Sequence, residues 1–321
     1  MKLALKLFIL ILALALAVLG TYVIAKIREA RIEARYPPIG QTVQVNGKNI
    51  QAYVTGSGPD LVMIHGSSGN MRDLILALED TLAPHFRVII FDRPGLGYSD
   101  SLSSDGDTFI DQAMILRDAA KQLGAEKPIV LGHSLGGIIS MAWVTQAPDD
   151  LSALALISPV VMPFDTPTST YYKMNKHPII GPFVNHFIGA FHYEGAIQNG
   201  LDEVFAPDPP PAGYRDEMGV ELVLRPKTVQ SNARQRNQIH EQIRALEAQY
   251  DRVTVPIEIL HGALDTTVSP QIHAEGLKNR LKDVNVTIWP DQGHMPHHFK
   301  QADILDAVQR LQSRITLKQK N

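Results

Sequence analysis

Short apolar runs recur along most of the chain, and each ends in turn-forming residues and leads into a stretch with helical periodicity. Runs of this length are typical of strands buried on both faces, and their alternation with helical stretches such as 111–123 predicts a parallel sheet covered by helices. In such sheets ligands bind at the carboxyl ends of the strands. The predicted parallel strands lie at 61–64, 88–91, 129–131, 153–157, 257–260 and 286–289.

The pattern at the start of the globular region differs. Two segments of alternating polarity, 42–45 and 49–55, flank Asn46-Gly47. Asn-Gly is a strong hairpin signal because both residues accept positive φ. We therefore predict that the sheet opens with an antiparallel hairpin.

A long interruption separates the fourth and fifth of the parallel strands. Residues 158–250 contain several prolines, an aromatic-rich segment at 171–193 and a helical pattern at 232–250. This content of large apolar side chains is too high for a disordered linker. We expect a helical cap, or lid, at 158–250, and a core formed by 39–157 and 251–321.

The amino terminus carries an uncharged apolar run at residues 7–25. As a helix it would extend about 28 Å, close to the hydrocarbon thickness of a bilayer. A buried core helix is disfavoured because the run is apolar on every face. We predict a single-pass membrane anchor and a helical stalk within 1–38, with Pro37-Pro38 ending the helix.

A cleaved signal peptide is the alternative, because Lys2 and Lys6 form a basic start and Ala15-Leu16-Ala17 resembles a cleavage site. The run stays apolar beyond that point, which favours an uncleaved anchor. The side of the membrane on which the domain lies stays open, since basic residues occur at both ends of the run: Lys2, Lys6, Lys26, Arg28, Arg31 and Arg35.

Composition narrows the function classes. A chain of 321 residues with 45% hydrophobic residues can bury a sizeable core. Its formal net charge of −3 gives no basic excess, so we expect no nucleic-acid partner. The chain has no cysteine, which excludes disulfides, zinc-thiolate sites and a cysteine nucleophile. A nucleophile must therefore use oxygen or nitrogen. The sequence does not indicate an oligomeric state.

One serine stands out between the strand at 129–131 and the helical run at 137–147. Ser134 lies in Gly132-His133-Ser134-Leu135-Gly136, which matches the G-x-S-x-G pattern of a nucleophile at a sharp strand-to-helix turn. Glycines on either side would allow neighbouring backbones to approach closely. The competing interpretation is an ordinary glycine-rich turn of a doubly wound protein.

An acid and a base follow in the expected chain order. A serine hydroxyl needs a base to remove its proton, and the base needs an acid to fix its tautomer. Asp265 follows the strand at 257–260, and His294 follows the strand at 286–289. We predict that Ser134, His294 and Asp265 form a catalytic triad. Asp265 could instead cap a turn or helix.

Two further histidines of this region are candidate metal ligands. His297 and His298 follow His294 closely, but Asp291 is the only carboxylate near them in sequence. We therefore expect no metal and no cofactor.

An oxyanion hole needs backbone N–H groups that face the substrate oxygen. We assign these donors to Ser67, in the HGSSG segment at 65–69, and to Leu135, at the start of the helix behind Ser134. His65 and His133 are expected to orient the loops.

Together these motifs resemble the α/β-hydrolase fold superfamily. The resemblance spans about residues 41–310, and it implies a triad of Ser134, Asp265 and His294 under a lid at 158–250. It rests on HGSSG at 65–69, FDRPGLGYSD at 91–100, GHSLGG at 132–137, LHGALDTTVSP at 260–270 and GHMPH at 293–297.

The resemblance also implies a class of reaction. Relatives that form an ester to an aspartate, the epoxide hydrolases and haloalkane dehalogenases, are excluded because the nucleophile position is Ser134. We expect a serine hydrolase that cleaves a small-molecule carboxylic ester, with an apolar acyl group favoured by the anchor. The alternatives are carbon–carbon bond hydrolysis, lactonase or amidase activity, cofactor-free haloperoxidase activity, and a non-catalytic ligand-binding protein.

Overall fold

The computed structural model describes residues 1–103 and 107–320. Eight strands form one sheet in the order β1-β2-β4-β3-β5-β6-β7-β8. The strands are β1 Gln41–Val45, β2 Lys48–Thr55, β3 Asp60–Ile64, β4 Arg87–Phe91, β5 Ile129–His133, β6 Ala153–Ile157, β7 Ile257–Gly262 and β8 Val284–Trp289. The helices are α1 Lys2–Arg35, α2 Met71–Leu82, α3 Phe109–Gln122, α4 Gly136–Gln146, α5 Thr170–Lys176, α6 Gly181–Phe191, α7 Glu194–Phe205, α8 Tyr214–Met218, α9 Pro226–Glu247, α10 Gly276–Arg280 and α11 Gln301–Lys320.

The sheet is parallel except at its first edge. β1 pairs with β2 in antiparallel register, with Val45 opposite Lys48 across the turn. Asn46 and Gly47 both have positive φ, 51° and 76°. β2 is also antiparallel to β4, and all the later pairs are parallel. The predicted hairpin and the predicted parallel strands are confirmed.

Helices cover both faces of the sheet. Alternate side chains of a strand point to opposite faces, so Val62 and Ile64 join one apolar cluster while Leu61 and Met63 join another. The first cluster includes side chains of α3 and α4, and the second includes side chains of α2 and α11. The predicted α/β architecture is confirmed, and its core lies in these two layers.

Five helices, α5 to α9, lie between β6 and β7, in residues 158–250, which we call the cap segment. Its longest helix is α9, which begins and ends earlier than the helical pattern predicted at 232–250. Pro226 occupies the first turn of α9, where a missing N–H costs nothing. The division of the chain into anchor, core and cap stays a prediction.

The amino-terminal helix α1 runs without a break from the apolar run into the predicted stalk. Its most apolar window has a mean hydropathy of 2.8, and only 6% of that window is buried. By length and composition α1 is able to cross a membrane. The predicted stalk packs on the cap segment: Arg28 donates to the carbonyl of Ala190 at 2.7 Å, and Glu33 pairs with Arg225 at 2.9 Å.

Candidate active site

Ser134 lies in a tight turn between β5 and α4, and its φ is +53°. Both flanking glycines are required by close backbone approach. A Cβ on Gly132 would lie 2.6 Å from the carbonyl oxygen of Gly136, and a Cβ on Gly136 would lie 2.2 Å from the carbonyl oxygen of Ile64. The turn therefore holds the serine in a strained conformation at the carboxyl end of the sheet.

The structure brings the three predicted triad side chains together. His294 Nδ1 lies 2.7 Å from Asp265 Oδ2, and His294 Nε2 lies 3.0 Å from Ser134 Oγ. Asp265 follows β7 and His294 follows β8, so adjacent strands place them side by side. All three residues are buried, with 4 to 7% of their surfaces exposed.

Four hydrogen-bond donors surround the Asp265 carboxylate. Oδ1 accepts from the backbone N–H groups of Thr267 and Val268, both at 2.8 Å. Oδ2 accepts from His294 and from His261 Nε2 at 3.0 Å. Burial raises the pKa of the Asp265 carboxyl, but the hydrogen bonds from His261, His294 and Val268 outweigh it and hold the pKa well below its ordinary value. An ionised Asp265 keeps the proton of neutral His294 on Nδ1, which leaves Nε2 free to accept from Ser134.

Sequence reasoning missed the role of His261. This fully buried residue near the end of β7 lies with Nε2 3.0 Å from both Asp265 Oδ2 and the carbonyl oxygen of Val268. With two acceptors beside it, Nε2 carries the proton. The signal in the sequence is the spacing of His261 four residues before Asp265, but the spacing alone does not show that the ring turns toward the carboxylate.

The HGSSG segment lies directly against the Ser134 turn. A Cβ on Gly66 would lie 3.0 Å from Ser134 Cβ. Asn232 of α9 holds the neighbouring residues: its Oδ1 accepts from Ser67 Oγ at 2.8 Å and from Ser68 N at 3.1 Å, and its Nδ2 donates to Ser68 Oγ at 2.8 Å. Sequence reasoning also missed this contact. Ser67 and Ser134 line the same cavity, and Leu135 is the N-cap residue of α4.

His65 and His133 form the structural hydrogen bonds expected of them. His65 Nδ1 donates to the carbonyl of Gly66 at 2.9 Å, and its Nε2 accepts from the backbone N–H of Arg93 at 3.0 Å. Burial and the Arg93 charge lower the pKa of His65 to about 3, which keeps the ring neutral. His133 Nε2 donates to the carbonyl of His294 at 3.2 Å and so supports the segment after β8 that carries His294.

His297 and His298 have a carboxylate partner, contrary to the expectation based on Asp291. Their Nε2 atoms lie 3.2 and 2.9 Å from the two oxygens of Asp73, on α2, which also accepts from Tyr214 at 2.9 Å. Asp291 instead pairs with Lys300. In the described residues Asp73, His297 and His298 are the group whose ligand atoms could hold a metal ion. In this structure the Asp73 carboxylate accepts hydrogen bonds from both histidines and from Tyr214.

A cavity of about 620 Å³ opens above Ser134 and His294. Its walls come mostly from apolar side chains of the cap segment, among them Phe187, Phe191, Leu201, Val204 and Leu224. Such a cavity is large enough for a small organic ligand and favours an apolar one.

The fold and this site define the class of protein. A family model described as the alpha/beta hydrolase fold matches residues 59–301. The chain therefore belongs to the α/β-hydrolase fold family, and the resemblance drawn from its motifs is confirmed.

Individual relatives are more distant. An uncharacterized protein of Mycobacterium tuberculosis is 26% identical over 289 residues, which cover 85% of this chain and 81% of that protein. A crystal structure of a membrane phospholipase A, a bacterial virulence factor, aligns with a TM-score of 0.66 at 24% identity and covers 98% of this chain and 99% of that one. An esterase of Thermogutta terrifontis aligns with a TM-score of 0.67 at 19% identity, covering 86% and 99% of the two chains. These structural likenesses show the fold.

Proposed function

We propose that the protein is a membrane-anchored serine hydrolase that cleaves a carboxylic ester with an apolar acyl group. The observation that carries this proposal is the position of His294, whose ring lies within hydrogen-bond distance of Asp265 on one side and of Ser134 on the other. That arrangement can activate a serine hydroxyl.

In the first half of the reaction, His294 Nε2 takes the proton of Ser134 as Oγ attacks the ester carbonyl. Negative charge develops on the carbonyl oxygen, where the N–H groups of Ser67 and Leu135 stabilise it. His294 then gives its proton to the departing alcohol, and an acyl-enzyme remains. Asp265 stabilises the imidazolium that forms between the two transfers.

In the second half, water loses a proton to His294 and attacks the acyl carbon. The acyl–oxygen bond breaks, His294 returns the proton to Ser134, and the carboxylic acid leaves. No metal or cofactor takes part in this scheme.

The apolar walls of the cavity and the apolar helix α1 support the choice of substrate. An enzyme anchored in a bilayer encounters esters that partition into it. The structural neighbours that are described as an esterase and a membrane phospholipase A support ester chemistry in general.

A fluorophosphonate probe tests the proposal. The detergent-solubilised full chain should bind the probe covalently, and mass spectrometry should place the adduct on Ser134. Ser134→Ala should abolish labelling, whereas Ser313→Ala, at an exposed serine of α11, should label like the wild type. A wild-type chain that never labels, or an adduct on Ser67 or Ser68, would contradict the proposed nucleophile.

A further inference from the structure

Helix α6 of the cap segment exposes its large apolar side chains and buries small residues. Phe183, Phe187 and Phe191 recur every four residues and are 45 to 50% exposed. The opposite side of the same helix, which faces the protein, carries the buried residues Gly181, Asn185 and Gly189. A helix on the surface of a water-soluble domain places its apolar side chains inward. The outward stripe of α6 is therefore suited to a medium other than water.

The segment around the stripe is mostly apolar, and its titratable side chains short of Tyr193 are His177, His186 and His192. Residues 177–193 contain no Asp, Glu, Lys or Arg. Just before α6, Ile179 and Ile180 are 81% and 46% exposed, and just after it Tyr193 is 73% exposed. An exposed apolar patch of this extent marks a contact with another protein or a membrane.

Helix α1 indicates which of these covers the stripe. The ring of Tyr22 lies 4.9 Å from that of His186, and Arg28 donates to the carbonyl of Ala190. The two contacts advance in the same direction along both helices, so α6 runs beside α1 and parallel to it. Phe183 precedes His186 by one turn and lies about 4.5 Å nearer the amino-terminal end of α1 than His186 does.

That position falls within the apolar run of α1. Tyr22 already lies inside residues 7–25, so Phe183 and the preceding isoleucines lie beside a part of α1 that hydrocarbon would surround. A bilayer that α1 crosses would reach the first turns of α6 without any change in the structure.

We propose that the amino-terminal part of the α6 stripe, Ile179, Ile180, Phe183 and Phe187, is inserted into the acyl-chain region of the same leaflet from which α1 emerges. Phe191, which lies level with Arg28, is then at the headgroup boundary. The inference rests on the proposed anchoring by α1. Phe187, Ile188 and Phe191 also line the cavity above Ser134. The cavity mouth then borders lipid, and an ester dissolved in the bilayer enters without crossing water.

The absence of cysteine in the chain allows a direct test by single-site labelling. Full-length variants Leu12→Cys, Phe183→Cys and Ile288→Cys carry the fluorophore NBD and are reconstituted into vesicles of phosphatidylethanolamine and phosphatidylglycerol that contain acyl-chain-brominated lipid. Leu12 reports on α1, and Ile288, 39% exposed on the edge strand β8, is the control. We expect strong loss of fluorescence at positions 12 and 183 and none at 288.

The three sites separate the possible failures. Loss of fluorescence at 12 but not at 183 would overturn the insertion of α6 while leaving the anchor intact. No loss at either site would remove the anchor, and with it this inference. If unlabelled Phe183→Cys forms disulfide-linked dimers in the same vesicles and labelled 183 is not quenched, a second copy covers the stripe and the proposal is wrong.

A kinetic measurement tests the entry route. Ile179 and Phe183 do not line the cavity, so the double variant Ile179→Ser, Phe183→Ser should hydrolyse a short water-soluble ester at the wild-type rate. Hydrolysis of a long-chain ester in vesicles should fall by about tenfold or more, because two large apolar side chains no longer favour the bilayer. Equal retention of both activities would overturn entry from the lipid.

Discussion

Asn232 is predicted to hold the HGSSG segment at 65–69, the proposed source of one oxyanion donor, in its working position, and Asn232→Ala should separate that role from general stability. The side chain is 5% exposed and forms three hydrogen bonds to Ser67 and Ser68. Each such bond contributes about 0.5–1.5 kcal/mol, and Ser68 is exposed enough for water to replace part of the loss. We expect the free energy of unfolding to fall by about 1–2 kcal/mol and Tm by about 2–6 °C.

The effect on catalysis should be larger than the effect on stability. Loss of a complete oxyanion donor lowers kcat by about 10²- to 10³-fold. A Ser67 N–H that is held only loosely should stabilise the oxyanion less well, so kcat should fall by a part of that factor. We expect kcat for a soluble p-nitrophenyl ester to fall by about 10- to 100-fold, with KM changed far less, because the developing oxyanion exists only in the transition state.

Asn237→Ala is the matched control for this experiment. Asn237 lies on the same helix, and its amide donates to the carbonyl of Ala233 within that helix. It should therefore keep the wild-type kcat. An Asn232→Ala variant whose kcat stays within about twofold of the Asn237→Ala value would refute the reasoning, since a loop that needs no support from α9 gains nothing from Asn232.

Two further predictions concern stability. Gly136→Ala should lower the free energy of unfolding by about 3 kcal/mol or more, because the added Cβ would meet the carbonyl of Ile64; the measurement is a large loss of Tm or of soluble yield. Gly200→Ala is the control and should keep its Tm, since nothing lies within 4 Å of its Cβ, and equal losses in the two variants would contradict the steric argument. Burial lowers the pKa of His65 to about 3 and that of His273 to about 4, while it raises the pKa of Asp92 to about 6. Below about pH 6.5 the unfolded chain binds a proton on each of the two histidines, whereas the folded chain does not. Below about pH 6 the folded chain binds one proton on Asp92 that the unfolded chain does not bind. The unfolded chain therefore binds about one proton more, and these groups remove about 1.4 kcal/mol of stability per pH unit as pH falls from 6 to 4. Thermal unfolding at several pH values measures this loss. The variant His273→Asn keeps an acceptor, Oδ1, for the N–H of Met162, and its Tm should fall less than the wild-type Tm between pH 6 and 4. A dependence of Tm on pH equal to that of the wild type would exclude His273 as a contributor.

Local pattern was sufficient to predict much of the fold. The strands at 61–64 and 153–157, for example, are apolar throughout because helices cover both faces of the sheet, and such runs are visible without any knowledge of neighbours. The hairpin at Asn46-Gly47 was predictable for a similar reason, since positive φ is a property of the residues themselves. The ends of the helices were predicted less accurately than the strands, because tertiary contacts shift them, as at both ends of α9.

The candidate triad was predictable because a parallel sheet aligns the carboxyl ends of its strands. Residues placed after β5, β7 and β8 therefore meet, and the motif GHSLG identifies which serine lies at that edge.

Other features depend on segments far apart in the chain, and no local pattern predicts them. Asn232 meets Ser67 and Ser68 only because α9 of the cap segment lies beside the segment that follows β3. His297 meets Asp73 only because the residues after β8 pack against α2. The aromatic residues of α6 show the limit most clearly. Their spacing in the sequence indicates a helix with an apolar stripe, but spacing does not say whether the stripe faces inward or outward. The tertiary structure decides that direction, because small residues fill the tightly packed side of α6 and leave the phenylalanines on the outside.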